Sequence, residues 1–98
     1  MKKAYLFVYN PTLGNREEVK GFVESCKLIK AWRYELESTF FIISEASANE
    51  ICKEVHEYFG KGKSKFIISE IPDNKQGWLA KRSWSVINEK KLPPKEQS

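Results

Sequence analysis

The sequence is poor in the side chains on which most catalytic and metal chemistry depends. It has one histidine and two cysteines. His56 stands without a Cys, Asp or Glu at metal-ligand spacing, so no zinc-type site is expected. Cys26 and Cys52 form no CxxC pair, and they read as reduced structural thiols. Ser64, Ser69 and Ser83 lack a GxSxG setting, and no Ser-His-Asp order suggests a triad. Gly60-Lys61-Gly62-Lys63 lacks the preceding strand and following helix that a phosphate-binding loop needs. No apolar run approaches the roughly 18 residues of a membrane-spanning helix. The apolar run near Met1 is short and aromatic, with no small-residue cleavage site after it. A secretory signal is therefore not expected, and a cytoplasmic location is.

What is present is enough for one domain and one core. The 98 residues are 41% hydrophobic and 31% charged, ordinary proportions for a globular protein. Residues 1–89 read as that domain. Residues 90–98, KKLPPKEQS, are charged and proline-broken, and are expected to be disordered. The net charge of +4 permits contact with nucleic acid without requiring it.

The organising stretch is Lys3–Asn10, closed by the Asn10-Pro11 turn signal. It reads as a strand, with Ala4, Leu6 and Val8 on one face and Tyr5, Phe7 and Tyr9 on the other. Both faces are apolar, which places it in a sheet covered on both sides. Asn15 with Glu18 forms a capping box, and Val19, Phe22, Val23 and Cys26 follow as a helical stripe. Gly21 weakens that helix unless it permits close packing. Residues 28–35 suit a second strand, a turn falls at Glu37-Ser38, and Thr39–Ile43 is a third strand, again apolar on both faces. Ser47 with Glu50 opens a second helix bearing Ile51, Val55 and Phe59, which stops at Gly60. Phe66–Ile71 is the fourth strand.

This order predicts an α+β, ferredoxin-like βαββαβ domain: a four-stranded antiparallel sheet with two helices on one face. Ala80–Glu89 adds a helical tail carrying Trp84, expected to lie over a sheet edge or across a partner. The sheet's second face is left bare by the two helices. Burying each large apolar side chain there is worth about 1.5–3 kcal/mol, so a sheet-to-sheet homodimer is expected. Its interface is assigned to Tyr5, Phe7, Tyr9, Phe40, Trp78 and Trp84.

Two further groups of residues are candidates for function. Lys30 and Arg33 alternate with Trp32 and Tyr34, and Lys81 and Arg82 follow Trp78. Cations at such positions hold phosphates while a ring stacks on an unpaired base. DNA or RNA binding through Lys30, Arg33, Lys81 and Arg82 is one expectation. Asn10, ending the first strand, is the other position of interest. A carboxylate there could hold a divalent cation shared across a dimer axis, but asparagine is neutral and hard cations prefer carboxylates.

Val8-Tyr9-Asn10, the run Ser38-Thr39-Phe40-Phe41-Ile42-Ile43 and the six-element order resemble the small CRISPR-associated adaptation proteins and the VapD toxins. Trp32-Arg33-Tyr34 with Glu37-Ser38-Thr39, and the tail Gly77-Trp78-Leu79 with Trp84, are similar to short SinR-like bacterial proteins. The resemblance spans residues 2–89. It implies a ferredoxin-like homodimer and, in the CRISPR and VapD branches, a magnesium- or manganese-dependent endonuclease whose aspartate ends the first strand. Asn10 stands at that position here. Two functions follow as expectations: a nucleic-acid-associated dimer without secure catalysis, or a non-catalytic interaction dimer, antitoxin-like or scaffolding, that meets a protein partner through its Trp-bearing tail. A small-molecule site is the weaker option, since no glycine-rich ligand loop supports it.

Overall fold

The computed structural model describes residues 1–62 and 64–90. Its elements are β1 (Lys3–Tyr9), α1 (Arg16–Ser25), β2 (Ile29–Tyr34), β3 (Thr39–Ser44), α2 (Ala48–Phe59), β4 (Phe66–Glu70) and α3 (Lys81–Trp84), which continues as a π-helical turn over Ser85–Glu89. The architecture is α+β. One four-stranded sheet has the order β2-β3-β1-β4, and every neighbouring pair is antiparallel. Of the expected tail, residues 91–98 lie outside the described residues.

Both long helices start where their capping residues dictate. Asn15 Oδ1 accepts from the Glu18 N–H at 2.9 Å, and Glu18 Oε1 accepts from the Asn15 N–H at 2.8 Å. Ser47 and Glu50 repeat the exchange at 3.1 and 2.8 Å. Each box satisfies two N-terminal donors that the helix itself cannot pair. α2 ends at Gly60, whose φ of 101° is closed to most side chains. At Gly21 a Cβ would stand 3.2 Å from Tyr58 Oη, the tip of an exposed side chain of α2 that reaches across to α1.

Strand register decides which apolar set faces the helices. Tyr5 and Phe7 stand opposite Ile42 and Phe40 on β3, and Phe7 and Tyr9 stand opposite Ile68 and Phe66 on β4. This inner set joins Val19, Phe22, Val23, Ile51 and Val55 in the main core. Phe7 meets Phe22 edge-on at 6.0 Å, an arrangement that ring quadrupoles favour. The outer set is Ala4, Leu6 and Val8, with Phe41 and Ile43 beside them.

The expected interface assignment of Tyr5, Phe7, Tyr9 and Phe40 is therefore corrected. All four are buried within the chain's own core, under its own helices. The reason is volume: the rings fill the space between sheet and helices, and the smaller Ala4, Leu6 and Val8 take the outer side. Alternation in the sequence fixes that the two sets oppose each other, not which one lies inward.

The outer face is not left bare. The helical tail folds back across it, and Val86 joins Ala4, Ala31 and Ile43 in a second, smaller buried cluster. β3, between the helices and the tail, is buried at every position. A bulge between Ile29 and Ala31 puts these residues on opposite faces, Ile29 in the inner core and Ala31 in the outer cluster. In a regular strand, residues two apart would share a face.

Candidate interaction surface

The tail covers only part of the outer face. Around it, Trp78 is 97% exposed, Ile67 60%, Leu36 46% and Val8 36%. Val8 and Ile67 are register partners on β1 and β4, so they form one apolar strip. Beside the tail lies a hollow of about 260 Å³ lined by Leu6, Leu36, Phe41, Ile71, Trp78 and Trp84. A protruding indole thus stands at the rim of an apolar hollow. Burial is what a large indole ordinarily gains in a fold, and Trp78 forgoes it here.

The tail is held by a polar network at its start. Ala80, the N-cap of α3, offers no side-chain oxygen, so the helix does not cap itself. Glu35, just past β2, does it from outside. Its two carboxylate oxygens accept from the Ala80 N–H at 3.0 and 2.9 Å, and Oε1 accepts from Ser83 Oγ at 2.5 Å. Arg33 Nε donates to the same Ser83 Oγ at 3.0 Å. Ser83 exposes no surface. The Ser83 hydroxyl, the Ala80 amide and the Arg33 charge hold the Glu35 carboxyl below its ordinary pKa, because each favours the ionised form.

The residues expected to bind nucleic acid are divided by this arrangement. Lys30 is exposed at the β2 bulge, and Lys81 and Arg82 are exposed at the start of α3. Arg33 is half-buried and already engaged with Ser83. Trp32 is buried, with Nε1 donating to Glu24, and Lys20 lies 5.9 Å from its ring centre. Tyr34 is capped by the Arg16 guanidinium at 4.5 Å. Neither ring is open to a base. Of the aromatics expected at a surface, Trp78 is exposed and Trp84 half-buried.

Asn10 makes a turn. Its Oδ1 accepts from the Thr12 N–H and from Thr12 Oγ1, each at 2.9 Å, while Thr12 Oγ1 lies 2.6 Å from Ser64 Oγ. Such side-chain bonding two residues ahead is what asparagine does at turns. Its single amide oxygen is neutral and twice engaged. Among the described residues, no three His, Cys, Asp or Glu gather closely enough to hold an ion. These residues do not fit magnesium or manganese.

The remaining features have structural explanations. His56 stands edge-on to Phe66 at 5.5 Å, on the wall of an open groove of about 630 Å³ between α2 and β4. Cys26 is buried and Cys52 half-buried, and no disulfide joins them. Among the described residues, no helix is long and apolar enough to cross a membrane. Glu35 is the residue that sequence reasoning missed. Its signal was indirect: a short helix beginning at Ala80 without a Ser, Thr, Asp or Asn cap needs one from elsewhere.

Comparison with protein-family models, with curated proteins and with solved structures finds no match to this chain.

Proposed function

We propose that this chain is a cytoplasmic, non-catalytic interaction module that pairs with a second copy of itself through the outer face of its sheet. The observation that carries this reading is the half-covered face itself, where Trp78, Val8 and Ile67 stand in solvent beside an apolar hollow. A two-fold contact requires one patch to be complementary to itself, so it needs both a knob and a hole. Trp78 is the knob, and the hollow between Leu6, Leu36 and Phe41 is the hole. Two buried indoles would supply about 300–500 Å² of the roughly 1,600 Å² in a standard interface. Val8, Ile67 and Leu36 would add to this on each side.

A ferredoxin-like fold belongs to the same reading. It is supported by the order β2-β3-β1-β4, by antiparallel neighbours throughout, and by α1 and α2 sharing the inner face. A nuclease role of the kind the resemblance implies is not part of the proposal, because the Asn10 turn supplies no carboxylate.

Sedimentation velocity over a hundredfold range of concentration tests the pairing. A concentration-dependent dimer that Trp78→Ala weakens at least tenfold is expected. A wild-type chain that stays monomeric throughout would overturn the proposal.

One observation favours a second reading, association with single-stranded DNA or RNA. The open Trp78 ring is followed by the exposed Lys81 and Arg82, and a free ring with nearby cations suits base stacking and phosphate contact. Fluorescence anisotropy with labelled single and double strands, at low and moderate salt, decides it. Salt-sensitive binding that Trp78→Ala abolishes would establish this reading. No binding at low salt would remove it.

A further inference from the structure

We infer that the tail, Lys81–Glu89, is a removable cover over the outer face, and that Glu35 is the clasp that keeps it shut. The inference rests on the reading of that face as the pairing surface, and it names the regulation of that surface. Three observations carry it.

The first is that the tail is attached at two separable places. One is apolar: Val86 joins Ala4, Ala31 and Ile43, and Trp84 and Ile87 line the hollow with Leu6 and Phe41. The other is the polar clasp, where Glu35 accepts from Ala80 and Ser83 while Arg33 donates to Ser83. Losing the clasp leaves only the apolar contact to hold the tail, and neither place is part of the strand ladder, so opening can be local rather than global.

The second is that the helix has little means of persisting alone. α3 and the π-helical turn together run only from Lys81 to Glu89, and Ala80 provides no cap. A helix so short is unstable in water without tertiary support. Residues 71–80, which lead into it, contain no helix or strand. Ile71 stays tied to β1, its N–H donating to the Ala4 carbonyl at 2.8 Å, and beyond it the segment can swing without breaking sheet pairing.

The third is that the clasp sits at the surface. Glu35 is exposed, and water competes there for the carboxylate. The clasp is therefore reversible. What it hides is buried apolar surface contributed by Ala4, Ala31 and Ile43, continuous along β1 with Leu6 and Val8. Tail and second copy compete for one face: the docked tail leaves only its margin, and the released tail offers the whole. Glu35 is a positioning residue in this device.

Amide hydrogen exchange and sedimentation on the full chain test it, comparing wild type with Glu35→Ala and Ser83→Ala. The amides of residues 80–90 are expected to exchange at least tenfold faster in Glu35→Ala, while β1 and β3 keep their rates. Pairing is expected to tighten severalfold. Ser83→Ala should move both readouts in the same direction, and it decides the matter should Glu35→Ala fail to fold. Wild-type tail amides that open only together with β1 and β3 would overturn the inference. So would a tail loosened by Glu35→Ala in a protein whose pairing is unchanged. A loosened tail in a chain that never pairs would sustain the clasp and overturn the pairing proposal instead.

Discussion

Phe7 and Phe40 stand directly opposite each other on β1 and β3, and neither exposes any surface. The two rings are the centre of the inner core, with Phe22 and Phe66 edge-on to Phe7 and Trp32 and Tyr34 around Phe40. Phe7→Ala is expected to lose about 3–5 kcal/mol of stability through lost burial and the cavity left behind. That is a large share of the roughly 5–15 kcal/mol holding a typical domain. Urea unfolding monitored by circular dichroism measures it. A loss under about 1 kcal/mol would contradict the placement of this ring inside the protomer.

Gly21→Ala is expected to stabilise the chain. Alanine gains up to about 1 kcal/mol over glycine in a helix interior. Against this, the new methyl would stand 3.2 Å from Tyr58 Oη. Tyr58 is 52% exposed and its hydroxyl is the far end of the side chain, so it can withdraw. Thermal unfolding should show a midpoint raised by a few degrees. A lowered midpoint would mean that the packing of Tyr58 on Phe22 and Phe59 holds the ring in place.

Acid should weaken the chain through Glu35 and Glu50, both of which are held below their ordinary pKa. For Glu35 the Ser83 hydroxyl is the main cause, then the Ala80 amide and the Arg33 charge. For Glu50 it is the Ser47 amide and then the Ser47 hydroxyl. A depressed carboxyl binds fewer protons folded than unfolded, so its stabilisation is complete above the unfolded value of 4.5 and is lost as pH falls through the folded value. The difference in urea midpoint between wild type and Glu35→Gln should be constant from pH 5 to pH 7, about where both states are ionised. It should narrow at lower pH. A difference that is flat down to pH 2, or about two units below the ordinary carboxylate value, would show that this carboxyl adds nothing in its ionised form.

Alkali should act through Tyr9. Burial is the main cause that pushes its phenol up to about 12, reinforced by its contact with Tyr34 and opposed by the Arg16 charge. A raised folded value means that the folded chain holds its proton longer. The associated stability is full below the unfolded value of 10.0 and falls as pH rises toward 12. Ultraviolet titration at the phenolate band should show Tyr9 ionising near pH 12, with burial also holding Tyr5 above its ordinary value, and Tyr34→Phe should bring the Tyr9 step earlier. An unchanged step in the variant would remove Tyr34 from the explanation.

Local signals were legible where a single stretch of chain decides the outcome. Asn15 with Glu18 and Ser47 with Glu50 marked both long helices because the capping residues lie three positions apart. The apolar doubling of β1 and β3 called for cover on both sides of the sheet, and on the outer side the chain's own tail supplies part of what was expected of a second copy. Other features depend on distant partners. The inward choice of Tyr5, Phe7 and Tyr9 depends on how much space α1 and α2 leave. The bulge beside Lys30 is fixed by pairing with β3, so no local pattern shows Ile29 and Ala31 parting. The capping of Ala80 by Glu35 joins residues forty-five positions apart. Trp78 and Trp84 lie close in sequence, yet one is in solvent and the other half-buried, a division set by where the tail lands.

The central place of β1 in the sheet has a consequence for synthesis. This strand leaves the ribosome before either neighbour, since they begin at Thr39 and Phe66. At about 5–20 residues per second, β4 emerges some 3–12 s after β1 is complete. Through that interval the nascent chain displays Ala4–Tyr9, an uncharged apolar run without proline, the kind of segment that joins its like into aggregates. Lys2 and Lys3 stand immediately before it, where charge opposes such stacking. These two lysines act as gatekeepers on a strand that must wait for its partners.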